Sequence, residues 1–149
     1  MRKIYYCLCL MMITVVFSSC NNDDDIVVEG DLNEIIYGKW HSYKVVGYWK
    51  GESVTKNIQK EGEFSQFYIE LDFNRNGICT SSGWKMNENN ISEWDSEKDE
   101  YYITDGFVNI VDKNNNDIVP LGYDNNGLYL RFTNYLEGSL LTGYLYFKK

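Results

Sequence analysis

A chain of 149 residues with 22 acidic and 14 basic side chains, formal charge −8, has room for about one domain. The acid excess argues against a nucleic-acid partner or a polybasic membrane-binding surface, because phosphates would be repelled. One proline, 12 glycines and 16% aromatic residues favour strands joined by tight turns.

Met1-Arg2-Lys3 is a short positive segment, and residues 4–17 are almost wholly apolar, without glycine, proline or charge. At about 14 residues this run falls short of the ~20 that cross a bilayer and matches a signal-peptide core. Ser18 and Ser19 then lead to Cys20. Phe17-Ser18-Ser19-Cys20 resembles the lipobox of bacterial lipoproteins. The resemblance implies cleavage before Cys20, acylation of its thiol and of the new amine by chains such as palmitate, and a lipid anchor. Residues 1–19 then form a signal peptide and residues 20–30 a tether. Asn21-Asn22-Asp23-Asp24-Asp25 cannot pack and reads as a solvated segment. It also resembles the surface-export signal of Bacteroidetes lipoproteins. That implies an outer-membrane location and favours surface exposure over a periplasm-facing position.

The expected mature chain of 130 residues loses Arg2 and Lys3, which leaves 12 basic against 22 acidic side chains, a formal charge of −10. Of the four cysteines, Cys7 and Cys9 leave with the signal peptide and Cys20 becomes a thioether. Cys79 is then alone, so an internal disulfide is excluded and stability must come from the core. Its apolar-flanked position predicts a buried filler and not a nucleophile.

Asp31, with Glu34 three residues on, predicts a helical turn over residues 32–37, closed by Gly38. Strands are predicted over residues 40–49 and about 54–59. Residues 66–73 carry the clearest strand signal: Phe67, Ile69, Leu71 and Phe73 alternate with Gln66, Tyr68, Glu70 and Asp72. Asn74-Arg75-Asn76-Gly77 predicts a hairpin turn into residues 78–84. Residues 85–99 are polar and read as a long loop with a short strand near Trp94. Residues 101–104 and 107–111 pair about Asp105-Gly106, and strands over residues 118–123, 128–133 and 140–147 follow. Leu128, Leu130 and Phe132 share one face. Eight or nine strands joined by short turns form a meander. A meander escapes open edges by closing, which predicts an all-β, antiparallel up-and-down barrel over residues 31–149, preceded by the helical turn. A barrel of that size is filled by side chains or holds one small ligand.

Gly38-Lys39-Trp40, opening the first strand, resembles the G-x-W signature of the lipocalin family. The resemblance implies that Trp40 plugs the closed end of the barrel and that a late-strand arginine, here Arg131, stacks across it. The family's T-D-Y motif is met only in its first two residues by Thr104-Asp105-Gly106. The pattern is closest to the short lipocalin-like domains of bacterial lipoproteins.

Residues that carry chemistry are sparse. His41 is the sole histidine, so a two-histidine metal site is excluded, and no serine sits in a nucleophile elbow. Asp112 to Asp117 lacks the sixth-position glycine and twelfth-position glutamate of a calcium loop. Glu93, Asp95, Glu97, Asp99 and Glu100 fall in the predicted loop and read as solvated. No metal, cofactor or catalytic set is expected. Tyr43, Tyr48, Trp49, Trp84, Trp94, Tyr101 and Tyr102 exceed what one small core holds, so some are expected outside or at a mouth. The expected function is non-catalytic: a lipid-anchored, lipocalin-like protein binding a small apolar or amphipathic ligand. Phe67, Ile69, Leu71, Leu128, Leu130 and Phe132 would line its cavity. The alternative is a filled barrel that binds a protein or glycan at the cell surface. Both need the same alternation of side chains, so periodicity does not separate them.

Overall fold

The computed structural model describes residues 29–149; the expected signal segment, Cys20 and the acidic run lie outside them. A short helix α1 (Glu29–Ile35) precedes nine strands: β1 (Gly38–Trp49), β2 (Glu52–Asn57), β3 (Ile69–Phe73), β4 (Ile78–Met86), β5 (Ser92–Thr104), β6 (Phe107–Asp112), β7 (Asp117–Asp124), β8 (Gly127–Leu136) and β9 (Ser139–Lys148). From β3 to β9 each strand pairs antiparallel with the next, and β1 pairs with both β3 and β9. The fold is therefore all-β: a closed eight-strand antiparallel barrel of lipocalin-like order, with β2 as one extra strand.

β1 serves two partners along one edge. Residues 38–41 pair with β3 and residues 44–49 with β2. The change of partner falls at Tyr43, where the register against β9 slips by one residue as a β-bulge. The slip resets which side chains point inward: Trp40 and Ser42 before it, and Val45 after it, are buried. Further along, Gly47 faces Gly143 across the β1–β9 ladder, and a Cβ on either would collide with the opposite backbone. Closure of the barrel thus depends on a glycine pair.

Three hairpins turn on two residues of positive φ: Lys50-Gly51, Asp105-Gly106 and Glu137-Gly138. This turn matches the twist of the strands it joins. Only the Asp-Gly pair announces it in the sequence.

α1 packs over the end of the barrel where β1 starts. Leu32 and Ile36 are fully buried, one helical turn apart, and Ile36 N–H donates to Leu32 O at 3.0 Å. The helix starts before the expected residues 32–37, at Glu29. The inward pair Leu32 and Ile36 fixes where the helix sits.

The expected loop over residues 85–99 is mostly strand. β4 runs to Met86 and β5 starts at Ser92, leaving a five-residue turn organised by Asn87, whose Oδ1 accepts from Asn89 N and Ile91 N. The ladder here is held by cross-strand pairs: Trp84 meets Trp94 edge-on at 5.4 Å, and Ser82 and Ser96 share a hydrogen bond at 2.8 Å. Both faces of this stretch are wet, so it carries no apolar alternation to read. At the other end, residues 66–68 precede β3: Ser65–Phe67 is a single 3₁₀ turn.

Candidate functional site

The closed end is built on Trp40. Its indole is buried, and Nε1–H donates to Ile36 O at 2.7 Å, so the ring bolts α1 to β1. Tyr123 meets it edge-on at 6.4 Å. Gly38, at φ +100, provides the turn between helix and strand. The cation over the ring is Lys149, with Nζ 5.3 Å from the ring centroid. Arg131, expected in that place, lies elsewhere. Period-2 alternation points Leu130 and Phe132 inward, so Arg131 points outward, where it borders a surface groove with Tyr48 and Tyr144.

The open end is formed by the β1–β2, β4–β5, β6–β7 and β8–β9 turns and by the linker between β2 and β3. Lys50 on the first of these turns pairs with Glu137 on the last at 2.9 Å. The linker folds inward. Ile58, Phe64 and Phe67 are buried, and Phe67 reaches the Phe132 ring of β8 at 5.5 Å between centroids. Ser42 fixes the linker: its Oγ–H donates to Phe67 O at 2.9 Å, and Oγ accepts from Ile69 N–H at 2.8 Å. Two aromatic rings thus fill the side of the bore next to β1.

The opposite side is not filled. A cavity of about 190 Å³ remains, with every barrel strand except β1 contributing to its wall. Leu71, Ile110, Leu121 and Phe147 form a buried apolar floor, and half-buried Ile69, Val119 and Leu130 form the upper wall. Ser81, Glu97, Asp99 and Asp112 supply the polar lining. Access is lateral as well as axial. The β7–β8 ladder runs only from Leu121–Leu130 to Asp124–Gly127, so residues 117–120 pair with β6 alone. Pro120 sits in that single-sided stretch, where the N–H it lacks costs no ladder bond.

The structure brings together only part of the expected lining. Ile69, Leu71 and Leu130 border the cavity. Phe67 and Phe132 pack on each other, and Leu128 is fully buried below, opposite Tyr123. The acidic residues read as solvated loop are strand residues instead, and Glu97 and Asp99 face the bore because they alternate with outward Ser96 and Lys98. The sequence signal that could have placed them is their phase with Tyr101 and Ile103, two and four residues beyond Asp99.

The carboxylates differ in what satisfies them. Lys85 bridges Glu97 and, at 3.3 Å, Asp95. The Lys85 ammonium is held above its ordinary range chiefly by Glu97. Asp95 is held below the usual carboxylate range by Ser96 N–H first and Lys85 second. Asp112 accepts from Asn114 N, Asn115 N and Asn115 Nδ2 and so caps the β6–β7 turn. Asp99 is only 7% exposed and accepts one hydrogen bond, from Lys113 N at 3.3 Å. Among the described residues no group of three metal-ligating side chains converges.

Outside the mouth, Tyr68, Trp84 and Trp94 form a half-buried aromatic shelf, with Lys60 Nζ 3.9 Å above the Trp94 ring. Trp84 Nε1–H donates to Lys60 O at 3.0 Å, tying the shelf to the linker. His41 lies beside Tyr68 at 6.3 Å, half-buried. Tyr48 and Tyr102 are exposed, whereas Tyr43, Trp49 and Tyr101 are half-buried.

No protein-family model, curated protein or solved structure shows a significant match to this chain.

Proposed function

We propose that this chain is a non-catalytic, membrane-anchored lipoprotein whose barrel binds a small amphipathic ligand at its mouth. The observation that carries the reading is the cavity that remains on the side away from β1 after Phe67 and Phe132 have filled the other. Its apolar floor and polar upper wall suit a ligand with an apolar body and one polar end. Its volume of about 190 Å³ is below the ~300 Å³ at which drug-sized pockets begin, so the ligand is small. The proposed anchor is Cys20, supported by the positive segment, apolar run and Phe17-Ser18-Ser19-Cys20 that precede the acidic tether. The proposed location is the outer membrane, with the barrel at the cell surface.

Native mass spectrometry of residues 21–149, which contain every strand of the closed barrel, tests the binding reading. Protein purified from its own host should carry an extra mass that denaturation removes. Leu130→Trp, which fills the cavity from its wall, should abolish that mass while leaving the circular dichroism unchanged. An identical mass on both proteins would place the ligand elsewhere.

A second reading, an interaction module, is favoured by one observation. The outer face of β1, β8 and β9 carries Tyr48, Tyr135 and Tyr144, with Tyr48 63% and Tyr135 73% exposed. Tyrosines presented this way suit protein or glycan contacts. A clean apo mass combined with retention on host glycans or surface proteins would move the function to that face.

A further inference from the structure

We propose that the barrel cavity is selective for a small organic ammonium ion, whose positive group sits against Asp99; this rests on the ligand-binding reading above. The cavity wall contains three carboxylates, Glu97, Asp99 and Asp112, and no lysine, arginine or histidine. Two of them are already satisfied, Glu97 by Lys85 and Asp112 by the turn it caps. Asp99 is not. Its only hydrogen bond, from Lys113 N, goes to Oδ1, and Oδ2 has no protein donor. The nearby lysines are committed elsewhere: Lys85 to Glu97 and Asp95, and Lys113 Nζ to Glu100 at 3.6 Å. Asp99 is 7% exposed, and no buried side-chain oxygen among the described residues lacks a partner, so Oδ2 is accessible from the cavity, where a cation can pair with it.

The position of Asp99 makes that cation part of an organic molecule. Asp99 lines the cavity together with the floor residues Leu71, Ile110 and Leu121, so a cationic group that pairs with Oδ2 can lay its apolar body against that floor. A metal ion would need several converging ligands, and none of the described groups provides them. A fatty acid or other anion would meet three carboxylates. A neutral amphiphile would leave Oδ2 without a charge partner. An alkyl or arylalkyl ammonium satisfies both the floor and the carboxylate, with Glu97 and Asp112 adding favourable field at the rim.

The test is amide NMR titration of residues 21–149 at neutral pH with three probes of similar size: 2-phenylethylamine, 2-phenylethanol and phenylacetate. The amine should shift the amides of Ile110, Leu121 and Leu130 and bind about tenfold or more tighter than the alcohol, with phenylacetate weakest. Asp99→Asn, which keeps an acceptor for Lys113 N, should erase the preference for the amine. Should that variant fail to fold, the ranking of the three probes on the unaltered protein still decides. Equal binding of amine and alcohol in the cavity, or a preference that survives Asp99→Asn, overturns the ammonium assignment and leaves the ligand-binding reading standing. No shift at the cavity amides with any probe, together with a clean apo mass, overturns both.

Discussion

Cys79 pairs across the sheet with Phe73 on one side and Asp99 on the other, and its side chain is buried in the core. Burial, and secondarily the charge of Asp99, push its thiol from the ordinary value near 9 up to about 12. The folded chain therefore holds the thiol proton more tightly than the unfolded chain does. Its contribution to stability is complete below pH 9 and is lost as pH rises from 9 towards 12. Burial first, then neighbouring charge, also raises the Tyr68, Tyr101 and Tyr146 hydroxyls, so they act in the same direction. Urea midpoints measured from pH 7 to 11 should stay level and then fall. Between pH 9 and 11 the unaltered protein should lose on the order of 2 kcal/mol more than Cys79→Ala. Equal slopes for the two proteins would show that the thiol titrates normally. The same protonation makes Cys79 inert to alkylation in the folded state, as expected of a buried filler.

Among the elements, the linker between β2 and β3 decides how much of the bore is filled, and its hold on the barrel comes from one side chain. Ser42 is fully buried and satisfies both Phe67 O and Ile69 N–H. Ser42→Ala leaves both without partners and should cost about 1–3 kcal/mol. Hydrogen exchange would then speed up at Ile69 ahead of global unfolding, while amides in β6 and β7 stay protected. Uniform loss of protection would mean that the linker and barrel unfold as one unit. None of this was legible in the sequence, because a serine beside a bulge has no periodic signature. Strands whose two faces differ were legible: β3, β8 and β9 alternate between core and solvent, although β3 starts at Ile69, three residues after the expected Gln66, because Ser65–Phe67 forms a 3₁₀ turn. Trp40 was legible too, through the G-x-W resemblance, as a tryptophan two residues after Gly38. β5 was missed over residues 92–99 because a strand at a wet mouth shows charge on both faces, and with it went the carboxylates of the site. Arg131 was misplaced by family pattern against its own phase in β8; the cation over Trp40 comes from Lys149, just beyond β9.

At the scale of the whole molecule, the proposed anchor and the barrel's polarity together set an orientation. The chain enters the barrel through α1, which packs at the Trp40 end, opposite the mouth. Eight residues separate Cys20 from Glu29, a reach of at most about 30 Å even when fully extended. A tether that short, attached at the closed end, keeps that end facing the bilayer and turns the cavity and the aromatic shelf towards the surroundings. The negative charge of the chain acts the same way by repelling anionic lipid headgroups. Nitroxide labels on Asn76→Cys, in the β3–β4 turn at the closed end, and on Glu88→Cys, in the β4–β5 turn at the mouth, measure the orientation directly. Lipidated protein in vesicles carrying a headgroup-bound nickel chelate should show strong relaxation at position 76 and weak relaxation at position 88. Cys20→Ser should abolish the difference by releasing the protein from the vesicles. Stronger relaxation at position 88 would place the mouth against the lipid. The ligand would then have to come from the bilayer, and not from the medium that the tether otherwise makes the cavity face.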